Sequence, residues 1–140
     1  MQETIFTKII KGDIPSHKIY EDELTYAFLD IYPAAEGHTL VVPKRQVEFV
    51  WELEDTDYEA LMNSVKKVAR RLKEVTGKPY VGTMVVGTDV PHAHVHIVPF
   101  DSPAEIKAVV SMKGRDEQEP DHAALAAFAQ RAAFSGTPEA

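Results

Sequence analysis

The chain contains no cysteine, which removes disulfides and thiolate chemistry from consideration. It has no stretch near the roughly 18 consecutive apolar residues that a membrane span needs. Its opening residues, Met1-Gln2-Glu3-Thr4, are not a basic segment leading into an apolar run, so no membrane partner and a cytoplasmic location are expected. Positive charge is in short supply. Fifteen basic residues against twenty-two acidic ones give a formal net charge of −7. That field repels nucleic acid and excludes a non-specific nucleic-acid binder, although a local site can still hold a small anion. There is no internal repeat and no low-complexity segment.

What is present suits one globular domain: 140 residues, 44% hydrophobic and 26% charged. Residues 4–11 have the spacing of a short amphipathic helix closed by Gly12, and Pro15 starts an extended region. Residues 17–21 and 24–31 have strand character and meet at Asp22-Glu23 in a hairpin, and 37–43 is a third strand. Thr56 and Glu59 have the spacing of a capping box. The helix behind them carries Leu61, Val65, Val68, Leu72 and Val75 on one stripe, and Gly77 and Pro79 end it. Residues 80–86 and 93–100 complete about five strands. Residues 111–121 are expected as a polar loop, 122–134 as a helix capped by Asp121, and the tail after Ser135 as frayed. The fold class is therefore α+β, an antiparallel sheet with one long helix and two shorter ones.

The chemistry concentrates in Val90-Pro91-His92-Ala93-His94-Val95-His96-Ile97-Val98-Pro99. On a strand, residues two apart share a face, so His92, His94 and His96 line one side and Ala93, Val95 and Ile97 the other. The outer imidazoles would then stand roughly 13 Å apart, too far to share one metal ion but suited to flanking a phosphate over the middle one. Imidazole can act as nucleophile, proton donor or proton acceptor near neutral pH. A metal site on His92 and His94, with His38 or Asp89 as third ligand, is the competing reading.

This pattern resembles the histidine triad (HIT) family, in particular its Hint-type, protein kinase C inhibitor-like branch of nucleotide hydrolases. The run from His92 to Pro99 fits the triad signature. Residues 5–15 resemble the family's opening helix and turn, 26–31 its nucleotide-facing strand, and 37–44 the strand after it. The resemblance covers about residues 4–100 and implies a HIT-like fold, with a triad domain over 1–110 and the loop, helix and tail of 111–140 packed on it. It makes His94 the nucleophile that takes up a nucleotidyl group, with His92 and His96 holding phosphate oxygens. Asp30 becomes the ribose carboxylate, and Phe28 and Ile31, with Ile10 beside them, the slot for a purine base. Asp89 and Val90 stand on the phosphate side.

The expected reaction is hydrolysis of adenosine phosphoramidates or related AMP conjugates, with no cofactor and no metal ion. Dinucleoside polyphosphate hydrolysis and slow-turnover nucleotide binding are the alternatives. A homodimer is implied, with Val47, Phe49, Val50 and Trp51 as its exposed apolar candidates. Two departures stand out. The segment before the triad reads Gly87-Thr88-Asp89, where the family often has Gly-Gln-Ser or Gly-Gln-Thr. The positions that hold a structural zinc in some members are Thr4, Thr7 and Gln46, none a good zinc ligand. His38 is expected to support the site rather than act in it, and His17 and His122 to lie on the surface.

Overall fold

A computed structural model describes residues 2–111 and 118–135. Helix α1 spans Ile5–Ile10, β1 Lys18–Glu21, β2 Thr25–Leu29 and β3 Thr39–Pro43. A 3₁₀ turn at Val50–Glu52 leads into α2, Asp55–Thr76; β4 is Tyr80–Met84, β5 Val95–Phe100, α3 Pro103–Ser111 and α4 His122–Ala132. The strands form one sheet in the order β1-β2-β3-β5-β4. Every neighbouring pair is antiparallel. The α+β architecture with a five-stranded antiparallel sheet is thus the fold of this chain.

Strand alternation divides the sheet into two faces. Ala27, Leu29, Val41, Val95 and Ile97 join Leu61, Val65, Val68 and Leu72 of α2 in the larger core, and α4 adds Phe128, Ala129 and Ala132. Truncating a fully buried leucine such as Leu61 is expected to cost about 2–5 kcal/mol. On the opposite face Tyr26, Phe28, Leu40 and Val42 pack under Phe6 and Ile9 of α1. His96 belongs to this second face, because it sits opposite Leu40 in the β3–β5 ladder. The reactive side of the sheet is therefore the one that α1 covers.

Local signals explain most boundaries. The β1–β2 hairpin closes on Asp22, whose carboxylate accepts from the backbone N–H groups of Leu24 and Thr25. Gly77 takes the left-handed conformation (φ 69°) that ends α2, and its N–H donates to the carbonyl of Lys73. The Asp121 side chain caps α4 by accepting from the Ala124 N–H, and the helix ends at Ala132.

Several expectations need correction. Helix α2 starts at Asp55, with Glu54 at its N-cap and no side-chain cap, so Thr56 does not cap it. Helix α3 was not foreseen, yet its start carries a capping signature. Glu105 reaches back to the N–H groups of Asp101 and Ser102, and Pro103 fills the first helical position. Of the loop expected over 111–121, Ser111 ends α3 and 112–117 lie outside the described residues, as does the tail after Ser135. Val50 is core and Val47 packs against that core, which leaves Phe49 and Trp51, 42% and 73% exposed, as the outward apolar residues of that segment.

Candidate functional site

Strand β5 begins at Val95, so His92 and His94 precede it and the three imidazoles do not form a flat row. What arranges them is hydrogen bonding. The Nδ1 atom of His94 lies 2.7 Å from the carbonyl oxygen of His92. A carbonyl only accepts, so Nδ1 carries the proton and donates, and Nε2 keeps a free lone pair. His94 is buried, and that burial holds its pKa below the ordinary imidazole value of 6.5, against the opposing pull of the His92 carbonyl and the Asp89 charge. The ring is thus a neutral base with one bare nitrogen, the form a nucleophile needs.

His92 is placed differently. Its Nε2 lies 2.8 Å from the carbonyl of Pro43 and so donates. Its Nδ1 must then accept, from the Thr4 hydroxyl 2.8 Å away. The Thr4 oxygen also accepts from the Thr7 N–H as the N-cap of α1. Gln46 Oε1 takes the Thr4 N–H and the Thr7 hydroxyl. Both ring nitrogens of His92 are engaged within the protein and the residue is fully buried. His92 is expected beside a phosphate; in this structure its ring is bonded to Pro43 and Thr4, and its carbonyl anchors His94. Thr4, Thr7 and Gln46, unsuited to zinc, form this hydrogen-bonded cluster.

His96 is oriented through His38. The backbone N–H of Ala34 donates to His38 Nδ1, so the His38 proton sits on Nε2. That Nε2 lies 3.0 Å from His96 Nδ1 and donates to it, which leaves the His96 proton on Nε2. Asp30 stands 3.6 Å from His38 Nε2, and its other carboxylate oxygen accepts from the Tyr32 N–H. His94 and His96 thus present opposite tautomers, one with a bare Nε2 and one with an Nε2–H, on rings 5.2 Å apart.

The apolar side of the site is built by Phe28, with Ile10 and Val90 packed on its cluster. Phe6 sets its edge against His94 at 5.2 Å and against Phe28 at 5.4 Å. Ile31 lies apart from that cluster. It lines a cleft of about 650 Å³ together with Tyr32, His38 and Phe128 of α4.

The HIT domain model matches residues 11–102. This chain belongs to the HIT family. The Bacillus subtilis protein hit is 42% identical over 103 residues, covering 70% of this chain and 71% of that one. A Schizosaccharomyces pombe protein named adenosine 5'-monophosphoramidase is 40% identical over 96 residues, covering 68% and 72%. Among solved structures, a Bartonella henselae Hit-like protein covers 92% of this chain and 93% of its own, with a TM-score of 0.75 and 28% identity.

Within this HIT site two trios bring one ligand atom per residue within 4.8 Å of one another: Asp30, His38 and His96, and Asp89, His94 and His96. In the first, the two imidazoles already bond to each other. The second places the exposed Asp89 carboxylate beside the buried His94 and His96. Sequence reasoning missed Phe6, and it read His38 as support without seeing how. A phenylalanine second in the opening helix and a histidine two residues before Leu40 were the available signals. Their value depends on pairing across 88 and 58 positions of chain. His17 and His122, expected on the surface, bond to each other at 3.0 Å.

Proposed function

We propose that this HIT protein is a nucleotide hydrolase acting on adenosine phosphoramidates and related AMP conjugates, through a nucleotidyl group carried on His94. The observation that supports this best is the anchoring of His94 Nδ1 on the His92 carbonyl, which leaves Nε2 bare beside the Nε2–H of His96. Relatives named adenosine 5'-monophosphoramidase, from Schizosaccharomyces pombe and Saccharomyces cerevisiae among others, support the substrate class.

In the proposed reaction the Nε2 lone pair forms a bond to the α-phosphorus. The bond to the leaving group breaks, and its electron pair leaves with that group, which takes a proton from solvent. The adduct's positive charge is stabilised by the Nδ1–H donated to the His92 carbonyl. The His96 Nε2–H donates to a phosphoryl oxygen, a fixed donor where charge accumulates. Water then attacks phosphorus, the Nε2–P bond returns its pair to nitrogen, and the water's surplus proton goes to solvent. Asp30 accepts from ribose hydroxyls, and Phe28 and Ile10 border the base, with Ile31 set apart on the neighbouring cleft.

The test is AMP release from adenosine 5'-phosphoramidate by wild type and by His94→Ala, each with and without chelator. Turnover that survives chelator and vanishes in His94→Ala is expected. Turnover abolished by chelator would make the histidines a metal site, and AMP binding without turnover would make this a nucleotide-binding protein. The same reading takes a homodimer as the working form. It is supported by exposed Phe49 and Trp51, and by β4 as an open sheet edge whose Tyr80 is also exposed. A single-chain mass by light scattering would overturn it.

A further inference from the structure

We infer that Asp89 is a charge filter on the leaving group: it favours AMP conjugates whose departing amine is cationic and disfavours anionic ones. This rests on the hydrolase reading above and adds a specificity-determining residue to it.

The argument starts with position. The Asp89 carboxylate, one nitrogen of His94 and one of His96 lie within 4.8 Å of one another. A substrate with its α-phosphorus over His94 therefore lies within the field of that carboxylate, and so does its leaving group. Gly87 sets the approach: its φ of 81° turns the chain between β4 and the triad, against the Phe49 ring. The Thr88 hydroxyl donates to the carboxylate at 3.4 Å.

Charge comes next. Among the described residues no Lys, Arg or His nitrogen lies within 4.0 Å of the Asp89 carboxylate, so its charge is unneutralised at contact range. The chain as a whole carries −7 and adds nothing to offset it. A unit charge some 6 Å from a carboxylate, in a medium of intermediate effective dielectric, changes an equilibrium by about tenfold. An ammonium group gains that factor and a second phosphate or a carboxylate loses it. The chemistry of P–N cleavage points the same way. The bridging nitrogen takes its proton from solvent as the P–N bond breaks and the electron pair leaves with the amine. A carboxylate at this place stabilises the protonated nitrogen, whereas an oxygen leaving group bearing negative charge is repelled by it.

Three AMP conjugates of similar size separate the effects: the phosphoramidates of ethylenediamine, propylamine and β-alanine, whose distal ends are cationic, neutral and anionic. Wild type should rank them in that order by kcat/KM, with about tenfold between neutral and anionic, and the spread should shrink as salt is raised. Each ratio is taken to the neutral conjugate within one variant, so a general loss of activity cancels. Asp89→Asn should collapse the ranking to within about threefold, and Asp89→Glu should restore part of it. An unchanged ranking in Asp89→Asn, with wild type still cleaving the neutral conjugate, overturns the filter and leaves the hydrolase reading standing. No cleavage of any conjugate by wild type overturns the hydrolase reading and this inference with it.

Discussion

The two ends of the triad are held in opposite ways. At His92 both ring nitrogens bond inside the protein, to Pro43 and Thr4, and the ring is sealed between α1 and β3. At His94 and His96 the Nδ1 atoms are fixed, His94 on the carbonyl of His92 and His96 on the ring of His38. Three chemically identical side chains thus differ in setting, one bonded within the protein through both ring nitrogens and two held through Nδ1, and in the proposed reaction the first builds the site and the other two work in it. Saturating a polar side chain favours rigidity, and leaving one atom unsatisfied at a fixed point favours reactivity.

The sharpest way to break that comparison is to truncate each end. His94→Ala should lower kcat by about a thousandfold or more, because nothing else near phosphorus offers a bare nitrogen. Its melting temperature should stay near that of wild type. His92→Ala should do the reverse in kind. It leaves the Pro43 carbonyl and the Thr4 hydroxyl without partners in a closed space, at about 2–4 kcal/mol of stability. Equal loss of melting temperature in the two variants would mean that His94 is as structural as His92.

The next effect belongs to His38. His38→Gln cannot offer the same ring geometry, so His96 is freed to place its proton on Nδ1 and turn a bare Nε2 to the substrate. We expect kcat to fall by about 10- to 100-fold with KM changed little, since the interaction lost acts in the transition state. A rise in KM alone would assign His38 to substrate binding instead.

The contrast also shows what could be read from residues alone. Three alternating histidines marked the site, and apolar periodicity marked α2 and the sheet, because both signals are local. The different roles of His92 and His96 were not legible. They depend on which carbonyl or hydroxyl stands beside each nitrogen, and those partners come from Pro43, 49 positions away, and Thr4, 88 positions away. The same reasoning explains the misplaced strand start. Alternation extended β5 back to Ala93, but the bond from the Ala93 N–H to the Val47 carbonyl takes that residue out of the ladder. Helix α3 is the opposite case: Ser102-Pro103-Ala104-Glu105 was a local signal left unused, while Thr56 and Glu59 offered the same pattern inside a helix that had already begun.

A smaller effect tests how the buried end is assembled. Thr4→Val keeps the side-chain shape and removes the hydroxyl, so α1 loses its N-cap acceptor and His92 Nδ1 its donor. The combined cost should be about 1–3 kcal/mol, seen as a lower denaturation midpoint. Because the His92 carbonyl also anchors His94, kcat should fall a few-fold. Thr4→Ser should recover both. If Thr4→Val loses stability at unchanged kcat, the cluster supports the helix without positioning the nucleophile.

The smallest effect is expected with pH, and its sign follows from burial. His92 and His94 both have pKa values pushed below 6.5 in the folded chain, chiefly because burial disfavours the charged ring. Unfolded, both titrate near 6.5. As pH falls from about 6.5 toward their folded values the unfolded chain binds more protons, so stability is full above 6.5 and declines below it. His17 is lowered too, by burial and then by the neighbouring His122, and contributes in the same direction. Glu21 and Asp22, lowered from 4.5 and 3.8, add their loss only in the more acidic range. Urea midpoints at pH 7.5, 6.5 and 5.5 should therefore show a decline concentrated in the second interval, and His17→Asn should remove part of it. The acid limb of kcat/KM should also lie below pH 6.5, since His94 attacks only while Nε2 is bare. A stability that rises between pH 6.5 and 5.5 would mean these rings gain more from their neighbours when charged than burial takes away.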